Sequence, residues 1–84
     1  MKATVWTYDV WGNKRDGFEV NNRYKQGTYT LTSRTMNSDK ALIRFAKRTL
    51  GIKPRVRVEL DGDDRTVYVN HKSSGYPLGE IELE

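Results

Sequence analysis

Thr4, Val5, Trp6, Thr7, Tyr8 and Val10 open the chain with β-forming residues and predict a strand over residues 2–11. Two parities compete within it. Trp6, Tyr8 and Val10 share one face and Ala3 and Val5 the other, and the alternation alone does not choose the buried one. The polar stretch Gly12-Asn13-Lys14-Arg15-Asp16-Gly17 reads as a turn that returns into Phe18-Glu19-Val20-Asn21 as a hairpin partner. After a bend across residues 22–27, Thr28-Tyr29-Thr30-Leu31-Thr32 alternates cleanly. That spacing predicts a third strand with Tyr29 and Leu31 inward.

At Asn37-Ser38 the period changes from two to 3.6. Ser38 is a natural N-cap, and Asp39 suits the positive end of a helix dipole. A helix is expected from Asp39 to Leu50, with Leu42, Phe45, Ala46, Thr49 and Leu50 on one face and Ile43 at its margin. Gly51 stops it, Ile52 packs beyond it, and Pro54 prevents resumption. Strict alternation resumes in Arg55-Val56-Arg57-Val58-Glu59-Leu60. The acidic turn Asp61-Gly62-Asp63-Asp64 leads to Arg65-Thr66-Val67-Tyr68-Val69, and residues 71–75 form a second turn. Residues 79–83 add a last short strand, which Pro77 places at a sheet edge. The expected fold is α+β, in the order β-β-β-α-β-β-β. It has an antiparallel sheet of five to six strands, or two hairpin layers, with one helix on one face.

Length bounds this to a single domain over residues 1–84, with a thin core. There is no cysteine, which excludes disulfides and thiolate metal sites. No apolar run reaches the roughly 20 residues of a membrane span, and no signal-peptide core forms before Tyr8 and Asp9. The chain is read as complete, cytoplasmic and not membrane-associated.

Charge changes the picture. Between residues 40 and 57 lie Lys40, Arg44, Lys47, Arg48, Lys53, Arg55 and Arg57 with no acid, while the remaining 66 residues hold eight cations against eleven carboxylates. A concentrated positive field of this kind attracts phosphate or an acidic protein surface. On the helix, Lys40, Arg44, Lys47 and Arg48 fall opposite the apolar stripe, as in helices that contact phosphates, although lysine and arginine also fill ordinary solvated faces. With Val56, Val58 and Leu60 turned toward the helix, Arg55 and Arg57 are expected on the other side of the sheet, splitting the basic run into two patches.

The open sheet face is a second candidate. Its arginines, threonines and aromatics resemble a stacking platform for single-stranded nucleic acid, but no RNP-type signature accompanies them. Trp6, Trp11, Tyr68 and Tyr76 are alternatively anchors for a protein partner or a homodimer. Trp11 beside Gly12 either caps the core or stands exposed. The Asp61–Asp64 stretch fails as a calcium loop, because the twelfth position is Lys72 instead of glutamate. His71, the only histidine, sits in a polar turn with no named partner for base catalysis. There is no phosphate-binding loop, dinucleotide fingerprint or nucleophile elbow.

Tyr8-Asp9-Val10-Trp11-Gly12-Asn13, Asp16-Gly17-Phe18-Glu19-Val20-Asn21-Asn22, Val67-Tyr68-Val69-Asn70 and Gly75-Tyr76-Pro77-Leu78 resemble a group of short bacteriophage-encoded proteins to which no activity attaches. The resemblance implies the host cytoplasm, and a role in binding nucleic acid or blocking a host protein. From the residues and the resemblance together, the expectation is a small non-enzymatic binding module without cofactor or metal. Nucleic acid is expected to meet Lys40, Arg44, Lys47, Arg48, Arg55 and Arg57. The alternative is a protein-binding module or host-factor inhibitor acting through exposed aromatics and arginines.

Overall fold

A computed structural model describes residues 1–84, an α+β fold with one open antiparallel sheet. Strand β1 (Lys2–Asn13) and strand β2 (Gly17–Thr30) form a long hairpin. Helices α1 (Ser33–Met36) and α2 (Asp39–Leu50) follow, then β3 (Val56–Asp61), β4 (Thr66–His71) and β5 (Pro77–Leu83). The strand order across the sheet is β2-β1-β5-β4-β3.

Helix α2 forms where its stripe and caps placed it. Ser38 Oγ accepts from the Ala41 amide at 3.3 Å, and Gly51 adopts the left-handed conformation (φ 68°) that ends it. Leu42, Phe45, Ala46 and Leu50 are buried against Ala3 and Val5 of β1, Val56 of β3, Val67 and Val69 of β4, and Ile81 of β5. The first strand's parity is thereby decided. Ala3 and Val5 face the helix, and Trp6 and Tyr8 face the open side. Gly79 on β5 lies directly beneath Leu50, where any larger residue would collide with it.

The element order differs from the expected one in three respects. The second and third expected strands are one strand, β2, which pairs with β1 over its whole length. Asn21 and Gln26 are bulged out of that pairing, and each bulge reverses the inside–outside alternation, so no single period-2 pattern runs through residues 17–30. Leu31 is buried as expected, whereas Tyr29 is half-exposed and packs edge-on against Phe45 at 6.0 Å. A short helix, α1, follows β2, capped by Thr32 Oγ1, which accepts from the Thr35 amide at 3.2 Å. Finally, β5 is the central strand and not an edge. Pro77 is accommodated at its first position, next to a bulge where the β4 register slips, so its missing N–H costs little of the ladder.

β5 pairs with β1 only from Ala3 to Thr7, so the distal half of the β1–β2 hairpin projects as a two-stranded arm. No helix is long and apolar enough to cross a membrane.

Candidate basic groove between helix α2 and strand β3

The basic run between Lys40 and Arg57 does not fold into one patch. Lys40 and Lys47 lie on the flank of α2 that faces β3, and with Ile43, Arg55, Val56 and Lys72 they line one open groove. A second depression, lined by Arg55, His71, Lys72 and Ser73, continues it over the β4–β5 turn. Four cations from three separate segments therefore converge over an aliphatic floor of Ile43 and Val56. Arg55 belongs here because it precedes the strand: its carbonyl accepts from the Lys72 amide at 2.9 Å, which ties the two residues side by side. The expectation that Arg55 would project from the far side of the sheet is overturned.

Arg57 does project there, since its neighbours Val56 and Val58 pack toward the core. Arg44 and Arg48 occupy the other flank of α2, outside the groove, where the Arg48 guanidinium lies 5.7 Å from the centre of the Phe45 ring. Of the six basic residues singled out from the sequence, Lys40, Lys47 and Arg55 come together, while Arg44, Arg48 and Arg57 do not join them. Lys72 was missed.

None of the groove's cations has a carboxylate partner, because the only ion pairs in the structure are those of Arg23 with Glu80 (3.2 Å) and Glu82 (3.5 Å). Asp39, the first residue of α2 and next to Lys40, does not line the groove. Asp61, Asp63 and Asp64 form the tip of the β3–β4 hairpin, where Asp61 Oδ1 accepts from the amides of Asp63 and Asp64. That tip is five residues along the strand from Val56, or about 17 Å. His71 Nδ1 accepts from the Ser73 amide at 3.3 Å and the Ser74 amide at 3.4 Å, and lies 3.0 Å from Ser73 Oγ. One ring nitrogen is thus committed to holding the turn that carries Lys72.

The open face of the sheet has the opposite character. A cross-strand row runs Lys25, Trp6, Glu80, Tyr68, Glu59 from β2 to β3. Glu80 separates the two aromatics. The Tyr8 hydroxyl donates to Glu80 Oε1 at 3.1 Å, and Arg23 lies over Trp6, its guanidinium carbon 3.9 Å from the ring centre. Burial, reinforced by the Glu80 carboxylate, pushes the Tyr8 phenol well above its ordinary value. Partial burial with the Asp64 carboxylate raises Tyr68 as well. Carboxylates between the aromatics repel phosphate, which disfavours this face as a nucleic-acid stacking platform.

The four aromatics proposed as anchors lie in different places. Trp6 and Tyr68 share the open face. Trp11 is 60% exposed on the projecting arm and is no cap on the core, and Tyr76 stacks edge-on with Phe18 at 5.2 Å. No family model matches this chain, and neither a curated protein nor a solved structure matches it.

Proposed function

We propose that the protein binds nucleic acid non-enzymatically, through phosphate contacts made by Lys40, Lys47, Arg55 and Lys72 in the α2–β3 groove. One observation carries this reading: four cations from three segments line one groove in which no carboxylate takes part and none is ion-paired, although the chain contains eleven carboxylates and Asp39 adjoins Lys40 in α2. Like charges so placed repel one another, and a polyanion relieves that repulsion while releasing its own counterions. Arg57 on the opposite face is not part of the contact, and Arg44 and Arg48 on the outer flank of α2 add only long-range attraction.

Gel retardation and fluorescence anisotropy with generic single- and double-stranded DNA and RNA test the proposal. Micromolar binding is expected near 50 mM salt, with log affinity falling against log salt by roughly 3 for four phosphate contacts. Changing Lys40, Lys47, Arg55 and Lys72 together to glutamine should abolish most of that slope. The control Arg44→Gln/Arg48→Gln should retain it. Equal effects of the two sets, or no retardation at low salt, would overturn the assignment. Salt-insensitive capture of a protein would favour the aromatic-anchor alternative.

A further inference from the structure

Strand β3 is an edge strand whose own charges are self-complementary, and we propose that it pairs antiparallel with β3 of a second copy of the chain. The pairing is independent of nucleic-acid binding in its evidence and goes beyond it.

The free backbone groups come first. The Lys72 amide donates to the Arg55 carbonyl, so residue 55 faces β4. In an antiparallel ladder the direction alternates, and Arg57, Glu59 and Asp61 face β4 too, opposite Asn70, Tyr68 and Thr66. The N–H and C=O groups of Val56, Val58 and Leu60 consequently point outward from the end of the sheet, where β3 has no further neighbour. The other edge strand, β2, is interrupted by bulges at Asn21 and Gln26, a device that discourages pairing. β3 pairs with β4 without a bulge, and Leu60 leaves more than half of its surface exposed.

Charge then selects the register. With Val58 opposite Val58 of the second copy on a two-fold axis, Val56 faces Leu60, Arg57 faces Glu59 on the open face, and Asp61 comes level with Arg55, whose side chain would have to turn out of the groove to meet it. All three outward-pointing residues become hydrogen-bonded pairs, and the charges opposed on the open face, Arg57 and Glu59, are opposite in sign. Sliding by two residues places Arg57 opposite Arg57 in one direction and Glu59 opposite Glu59 in the other. Both slips put like charges in contact. The two-fold interface is closed, so it makes a dimer and not a fibre. The axis stands perpendicular to the sheet, and both α2 helices stay on one face of a continuous ten-stranded sheet. Exposed Leu60 is covered by the second copy's Val56. A single strand on each side buries less than a standard interface, so the dimer is weak and forms at high micromolar concentration.

Sedimentation equilibrium of the intact chain up to about 1 mM is the direct test, with a monomer–dimer equilibrium expected in that range. Val58→Pro removes an outward-pointing N–H without breaking a β3–β4 hydrogen bond, at the cost of a half-buried side chain; a cooperative melt checks that it folds, and the folded variant should be monomeric at every concentration. Arg57→Glu and Glu59→Arg should each fail to self-associate, because each presents like charges across the axis. Mixed one to one they should form a heterodimer, since the first variant offers only carboxylates at these two positions and the second only guanidinium groups. A wild-type chain that remains monomeric at the highest concentration overturns the proposal. So does a dimer that Val58→Pro leaves intact, or a mixture of the charge variants that does not associate.

Discussion

Replacing Gly79 by alanine tests how the central strand meets the helix. The glycine is buried on the helix side of β5, opposite Thr7 of β1. Its φ is ordinary, so the constraint is space and not conformation. A Cβ built there falls inside van der Waals distance of the Trp6 carbonyl oxygen and 2.9 Å from Leu50 Cδ2. Leucine can rotate away, but the carbonyl belongs to the neighbouring strand and moves only if β1 and β5 separate. Overpacking of this kind costs about 1–3 kcal/mol, offset by up to about 1 kcal/mol because alanine loses less backbone entropy than glycine. A net loss near 2 kcal/mol lowers Tm by roughly 8–16 °C in a domain this size. Circular-dichroism melts and urea titration of Gly79→Ala measure it. The Leu50→Ala background separates the two contacts: it relieves the side-chain crowding but leaves the strain at the carbonyl, so Gly79→Ala should still destabilise that background. A Gly79→Ala protein as stable as wild type, or one fully rescued by Leu50→Ala, would refute the backbone contact as the cause.

Phe45→Ala should cost about 3–5 kcal/mol, since it empties a buried position between α2 and the sheet; an unchanged urea midpoint would show that the helix faces another way. The same substitution removes the edge contact to Tyr29, so Tyr29 should become more accessible in the variant. Tyr8 predicts the alkaline limit of the fold. Its phenol stays protonated in the native chain at pH values where an unfolded tyrosine, near 10.0, ionises. The stability it contributes is therefore complete below about pH 10 and declines as pH rises beyond it. Tyr8→Phe should lose less stability than wild type as pH rises above about 10, and parallel losses in the two proteins would remove Tyr8 as the source.

Helix α2 was legible because every signal agreed: Ser38 as cap, the 42/45/46/50 stripe, Gly51 and Pro54 at the stop. The two tight hairpins were equally plain from Gly12 to Gly17 and from Asp61 to Asp64. β2 was not, because its bulges at Asn21 and Gln26 break the alternation that marks a strand. β5 misled for a different reason. Pro77 marked it as an edge, yet the proline sits at the first position of the central strand, beside a bulge in the β4 pairing where a missing N–H costs little. The basic groove was half visible. Lys40, Lys47 and Arg55 stood in the charged run, but Lys72 lies 15 residues beyond its end. The signal for it was the hairpin register: Asp61 opposite Thr66 continues to Arg55 opposite Lys72.

The β3–β4 hairpin is polarised end to end, with cations where it meets α2 and carboxylates at its tip, and this single feature underlies both proposed contacts. A phosphate in the groove and the tip of a second copy are each anions offered to Arg55. Asp61 of the second copy comes level with Arg55 in the paired register, and the Arg55 side chain would have to leave the groove to meet it, whereas Lys40, Lys47 and Lys72 stay in the groove. The two partners therefore compete for one of four groove cations. Linkage makes that competition reciprocal: whatever factor dimerisation takes from nucleic-acid affinity, nucleic acid takes from dimerisation. Losing one phosphate contact of four weakens binding without abolishing it, and the effect is largest at low salt, where each contact counts most. Arg55→Gln uncouples the two equilibria. In that variant nucleic-acid affinity no longer varies with protein concentration, while the Arg57–Glu59 pairs on the open face still hold the dimer. Anisotropy titrations at a few micromolar and at several hundred micromolar protein, run on wild type and Arg55→Gln at the same salt, measure the difference. A wild-type affinity that is equal at the two concentrations, in a chain shown by sedimentation to dimerise, would refute the shared use of Arg55.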